Sequence, residues 1–246
     1  MPDDTEEKLE EMSFLDHLDE LRSAIIMSLV VWIAASIILW FFSGIVLDFL
    51  LKSIPVDSLY FNAPVEAFMI RLKLSFILGF LVSFPFILFK VWAFVSPGLF
   101  MGERKSIIPL IATSTILFYV GVVFAYWILI PVVLNFLIKF GTDLLSPLIS
   151  AEKYFIFVAK LCLAFGLVFQ LPLVIVFLTS MGIISARSLL KKWRWAVIII
   201  FISGAILTPP DPASQLLMAL PLVFLFLVSA LLSVLIEKRR EKKTGE

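Results

Sequence analysis

Two carboxylates sit in sequence settings that could do chemistry. Glu20 lies near the end of the run Ser13-Phe-Leu-Asp-His-Leu-Asp-Glu-Leu-Arg22, and Glu103 lies in Ser96-Pro-Gly-Leu-Phe-Met-Gly-Glu-Arg-Lys105. A carboxylate accepts two parallel N–H bonds from a guanidinium, so two of them facing one another would form a receptor for arginine-bearing segments. Each residue also has a plainer reading. Leu15, Leu18 and Leu21 mark one helical face and Asp16, Asp19 and Glu20 another, as in an interfacial amphipathic helix. Ser13 and Asp16 have capping-box spacing. Glu103 at the start of a helix would offset the positive end of its dipole.

Gln170 is the third candidate, a polar side chain in an apolar run two residues before Pro172. At that depth an amide faces a cavity or bonds a neighbouring helix. Glu66, Arg71 and Lys73 form a cluster suited to mutual pairing, and Lys160 has a stem long enough to snorkel toward an interface. The sequence shows no nucleophile–base set, no glycine-rich phosphate loop and no metal-ligand cluster; it holds one cysteine, Cys162, and one histidine, His17. It therefore points to no enzyme and no cofactor.

The elements that must carry these residues are apolar. The chain of 246 residues is 61% hydrophobic with a mean hydropathy of +1.09, which exceeds what a soluble core requires and calls for lipid as solvent. A net charge of +1 gives no electrostatic basis for a nucleic-acid partner. The first residues are acidic rather than basic, so the first apolar span reads as a retained anchor, not a cleaved signal. Six spans are expected, at roughly 24–47, 72–95, 107–138, 154–184, 193–207 and 213–236, in one membrane domain covering 1–246 with tails 1–23 and 237–246. Of the lysines and arginines, fourteen fall in the two tails and the second and fourth loops, and six in the remaining segments. The positive-inside bias puts both tails in the cytoplasm. The fifth span is short, which predicts a Pro209-Pro210 hairpin below the outer membrane surface. Pro85, Pro109, Pro131 and Pro172 are expected to bend their helices, and Gly79, Gly121 and Gly166 to allow close packing.

Ordered motifs along most of the chain carry a resemblance. They are His17-Leu-Asp-Glu-Leu-Arg22; Val91-Trp-Ala-Phe94 with Ser96-Pro-Gly-Leu-Phe100 and Glu103-Arg104; Phe118-Tyr-Val-Gly121 with Phe124-Ala-Tyr126; Ala164-Phe-Gly166 with Gln170-Leu-Pro172; and Leu207-Thr-Pro-Pro-Asp211 with Ser214-Gln215. Together they resemble the TatC family, core receptor subunits of the twin-arginine protein translocase. The resemblance implies an all-α integral membrane protein with six transmembrane helices in a concave, glove-like bundle in the bacterial inner membrane. It implies a receptor for twin-arginine signal peptides, with Glu20, Glu103, Phe94, Arg104 and Arg22 in the binding patch. It further implies single-span TatA and TatB partners and export of folded proteins driven by the proton-motive force. Gln170 matches a position that is acidic in some relatives, and its amide cannot titrate. Asp211 and Gln215 match family positions on the outer side of the last hairpin. The first outer loop, Leu47-Asp-Phe-Leu-Leu51, lacks a proline found in some relatives.

A secondary transporter for a small solute is the alternative class. It calls for a midplane site between repeated halves, and no internal repeat is visible.

Overall fold

The computed structural model describes residues 14–52, 59–61, 63–95, 107–139, 148–207 and 212–244. In chain order these form α1 (Phe14–Trp40), α2 (Ser43–Lys52), β1 (Leu59–Tyr60), α3 (Pro64–Val95), α4 (Ile107–Phe124), a π-helical turn (Ala125–Leu129), α5 (Ile130–Ile138), β2 (Ile149–Ser150), α6 (Ala151–Val168), α7 (Leu171–Ser180), α8 (Ala186–Lys191), α9 (Trp193–Leu207) and α10 (Pro212–Thr244). Five stretches are long and apolar enough to cross a bilayer: Asp16–Trp40, Pro64–Val95, Ile108–Ile138, Ala151–Ser180 and Pro212–Lys238. The sixth apolar helix, α9, has 15 residues. At ~1.5 Å per residue it reaches ~22 Å, less than the ~30 Å of hydrocarbon. Its short length agrees with the sequence reading, while the Pro209-Pro210 hairpin lies outside the described residues.

Helix breaks follow from local chemistry. The apolar run expected to form one span over 24–47 stops at Trp40. Ser43 Oγ donates to the Trp40 carbonyl at 2.6 Å, and the following Gly44 is a weak helix former. Arg71 packs against Gly44, where a Cβ would collide with the guanidinium. The stretch expected as one span over 154–184 breaks at its proline. Pro172 cannot donate to the carbonyl four residues earlier, which belongs to Val168, and Val168 is where α6 ends. Pro131 similarly follows the π-helical turn, at the start of α5. Pro85, by contrast, sits inside an unbroken α3. The carbonyl it leaves free is that of Leu81, and Tyr119 Oη donates to it at 2.9 Å from α4. Lipid offers no such donor, so a neighbouring helix must.

Helix–helix contacts are close where side chains are small. α3 is the principal neighbour of α1. The two run antiparallel, with Trp40 against Phe68, Trp32 against Phe76 and Phe80, and His17 against Phe94. At the middle of this seam, a Cβ on Gly79 would lie 2.7 Å from the Ser36 backbone nitrogen. Trp32 Nε1 fixes the register by donating to the Phe76 carbonyl at 2.8 Å. The α4–α6 seam is closed by Gly121 and Gly166. A Cβ on Gly121 would meet the Phe165 carbonyl oxygen at 2.6 Å, and one on Gly166 would meet Phe118 Cε2 at 2.6 Å. Phe118 is fully buried and stacked on Phe84. Elsewhere the helices are apolar outward, with Ile25, Ile37 and Phe224 largely exposed. A soluble protein would cover such surface; lipid solvates it.

The two connections on the α6 N-terminal side are tied together by β1 and β2. These pair in parallel, with Leu59 opposite Ile149 and Tyr60 opposite Ser150. Lys73 pairs with Glu152 across α3 and α6, so the expected Glu66–Arg71–Lys73 cluster is not where Lys73 finds its counter-charge. At the other side, Glu237 of α10 accepts the Ala186 backbone N–H at 2.9 Å and holds the start of α8.

Gly166→Val is expected to lower the melting temperature of the detergent-solubilised protein by the equivalent of about 1–3 kcal/mol of overpacking. Gly204→Ala is expected to be near neutral, because its Cβ would meet Gln215 Cγ only at 3.5 Å. Scanning fluorimetry of the two variants checks this, and equal shifts would contradict it.

Candidate functional site

The α1–α3 seam brings together the N-terminal turns of α1 and the last turn of α3. His17 stacks on Phe94 with ring centroids 4.2 Å apart and an interplanar angle of 12°. One turn on, Glu20 turns its carboxylate back toward the imidazole, with Oε2 3.8 Å from His17 Nδ1. That oxygen is enclosed and has no hydrogen-bond partner among the described residues. A carboxylate oxygen withdrawn from water without a donor is costly, so this end of the seam is suited to receive a donor from outside it. Arg22 is exposed at the rim.

Beneath this patch, α1 and α3 diverge to leave a groove of about 370 Å³. Leu21, Ala24, Ser28, Trp32, Lys90 and Phe94 line it. Leu21, the neighbour of Glu20, and Phe94, the partner of His17, are among its lining residues, and its walls are almost wholly nonpolar.

Of the residues singled out in the sequence, Glu20, Phe94 and Arg22 lie at this one end. Glu103 and Arg104 lie in the 96–106 connection, outside the described residues. That connection joins Val95, next to Phe94, with Ile107 at the start of α4. His17 is the residue sequence reasoning passed over. Its signal was available: the chain's single histidine stands three residues before Glu20, one helical turn away.

Gln170 occupies the break between α6 and α7 and is half-buried. Its Nε2 donates to the Ser114 carbonyl of α4 at 3.0 Å. The Ser114 hydroxyl in turn accepts from Trp92 Nε1 of α3 at 3.2 Å. One amide, one serine and one indole thus link α3, α4 and the α6–α7 junction in a region otherwise walled by Phe118 and Phe177. Gln215 does the same for the last hairpin, its Nε2 donating to the Phe201 carbonyl at 2.8 Å across α9 and α10. Asp211 lies outside the described residues.

These features define a class: a helical membrane protein with several apolar spans, and with a carboxylate set beside an aromatic stack at the end of one helix seam. The sequence model of the family described as Sec-independent protein translocase protein (TatC) matches residues 16–221. A TatC protein of Carboxydothermus hydrogenoformans is 40% identical over 93% of this chain and 95% of its own length. One from Aquifex aeolicus is 36% identical over 94% of this chain and 98% of its own. The crystal structure of a twin-arginine translocase receptor, TatC, superposes with a TM-score of 0.83 at 37% identity, covering 89% of this chain and 99% of that one. The chain belongs to the TatC family.

The Gln170 contact yields a prediction for a Gln170→Leu variant. Leucine has no N–H to donate to the Ser114 carbonyl. The variant is expected to lose about 0.6–1.7 kcal/mol of stability, the range of interhelical hydrogen bonds in membranes. Melting temperatures of the two detergent-solubilised proteins check this, and an unchanged value would contradict it.

Proposed function

We propose that the chain is the signal-peptide receptor and core subunit of a twin-arginine translocase in a bacterial inner membrane, with both termini cytoplasmic. The observation that carries the reading is the Glu20 carboxylate oxygen, enclosed near His17, which stacks on Phe94, and lacking a donor among the described residues, with the neighbouring Leu21 and Phe94 lining the apolar groove. A signal peptide with an arginine pair followed by an apolar stretch complements both parts. One guanidinium bonds Glu20, and the other bonds Glu103 from the adjoining connection. Phe94 offers its ring face to the arginine or its neighbours, while Arg22 and Arg104 exclude a third cation and help orient the peptide. The apolar stretch follows the groove along α1 and α3.

The receptor carries no bond-breaking chemistry of its own in this reading. It acts by selecting cargo and presenting it to single-span TatA- and TatB-type subunits, whose assembly uses the proton-motive force to move folded proteins outward. Gln170, with its neutral amide, serves as an interhelical or partner-helix hydrogen bonder rather than a proton carrier. Asp211 and Gln215 belong to the outer end of the last hairpin, where a partner helix would dock. The secondary-transporter alternative loses ground because the amide of Gln170, its best midplane candidate, is already engaged with Ser114.

A hydrogen bond to a charged group contributes about 1.5–3 kcal/mol, so loss of one carboxylate is expected to weaken binding roughly 10- to 100-fold. Glu20→Gln in nanodiscs is expected to lower affinity for a fluorescent twin-arginine signal peptide by that factor. Its already weak affinity for a twin-lysine control would change little. Equal affinity of parent and variant for the arginine peptide would sink the assignment.

A further inference from the structure

Lys153 and Lys160 stand on one exposed face of α6. Seven residues apart, they are separated by about 10.5 Å of rise and about 20° of rotation. Leu167 continues the same stripe, and the opposite side of the helix, with Tyr154, Val158, Leu161 and Phe165, is buried in the core. Lys160 is therefore a cation on the lipid-facing side of an apolar helix, about 13 Å in from its first residue. A charge at such a place is costly unless an opposite charge meets it.

Among the described residues nothing provides that charge. Glu152 is taken up by Lys73, and neither Lys153 nor Lys160 forms an ion pair there. The direction of the side chain then decides where a counter-ion must come from. Helical side chains lean toward the helix N-terminus, which for α6 is the end bearing Glu152, Lys153 and β2. The Lys160 stem so directs its ammonium away from the membrane middle and toward Lys153. With the Lys153 stem bent back over the two turns between them, both ammonium groups reach a single anion lying between the two residues, and the anion available there along a lipid-facing helix is a headgroup phosphate.

We propose that Lys153 and Lys160 bind the phosphate of an anionic phospholipid from the leaflet at the α6 N-terminal end, with its acyl chains lying along α6 past Leu167. Two cations without an acid on the same stripe favour a net-negative headgroup over a zwitterionic one, whose own cation would be repelled. The phosphate then sits between the two lysines, inward of Lys153, which thins the bilayer locally on this face of the bundle. The site stands independently of the receptor reading.

The test is local quenching. A bimane fluorophore on Leu167→Cys, in a Cys162→Ala background, is reconstituted into vesicles doped with brominated phosphatidylglycerol or brominated phosphatidylcholine. The expected result is quenching that favours phosphatidylglycerol by about fivefold or more, the preference that one or two basic residues at a charged surface supply. Lys153→Gln/Lys160→Gln is expected to bring the ratio to about one, while Lys160→Arg retains it, which separates loss of charge from loss of fold. A ratio near one in the parent, as expected if a carboxylate on a partner helix were the true occupant, would overturn the proposal. So would an unchanged ratio in the double variant.

Discussion

The antiparallel seam between α1 and α3 is the interaction on which the candidate site depends. α1 has α3 as its principal neighbour, so its rotation and height are set there. Gly79 lets the backbones approach at Ser36, and Trp32 Nε1 fixes the sliding position through the Phe76 carbonyl. From that register it follows, several turns away, that His17 meets Phe94 and that Glu20 lies beside the stacked pair. A shift by one helical residue would rotate Glu20 about 100° off Phe94 and into lipid or water. The acidic patch is a consequence of helix packing deep in the membrane rather than of local sequence at the surface.

The same logic explains why so few polar residues suffice inside the bundle. Apolar side chains gain little by leaving lipid for one another, so helix association rests on close contact and interhelical hydrogen bonds. Tyr119 serves the Leu81 carbonyl left free by Pro85, Gln170 serves Ser114, Gln215 serves Phe201, and Thr179 bonds Ser233 between α7 and α10. Each bond joins two helices, and several fall next to a proline or a helix break. Helix interruptions and interhelical hydrogen bonds are thus placed together.

Much of this was legible in the sequence, because membrane thickness and proline chemistry act on local runs of residues. The apolar spans, the short fifth helix and the packing glycines could be read from composition and spacing, and Pro172 was read as a bend where the structure has a break between α6 and α7. The Ser43-Gly44 interruption was not, since the run from Ala24 to Leu47 holds three scattered serines and no charge, and nothing in hydropathy marks the one whose hydroxyl caps a helix end. Pro85 shows how a defect is mended from a distance: α3 continues through it, and Tyr119, remote in sequence, donates to the carbonyl that it leaves free. The pairing of β1 with β2 and of Lys73 with Glu152 depends on which loops meet, which periodicity does not encode. At the candidate site, Glu20 and Phe94 could be singled out through their motifs, whereas the stacking of His17 on Phe94 depends on the register of two helices.

The central claim is that Glu20 and Glu103 each hold one arginine of the same pair. A double-mutant cycle measures this directly, crossing Glu20→Gln and Glu103→Gln with arginine-to-lysine changes at each position of the peptide. The account predicts a coupling of about 1 kcal/mol or more between each carboxylate and one particular arginine, with little coupling in the crossed combinations. Losses that add without coupling in all four combinations would contradict it.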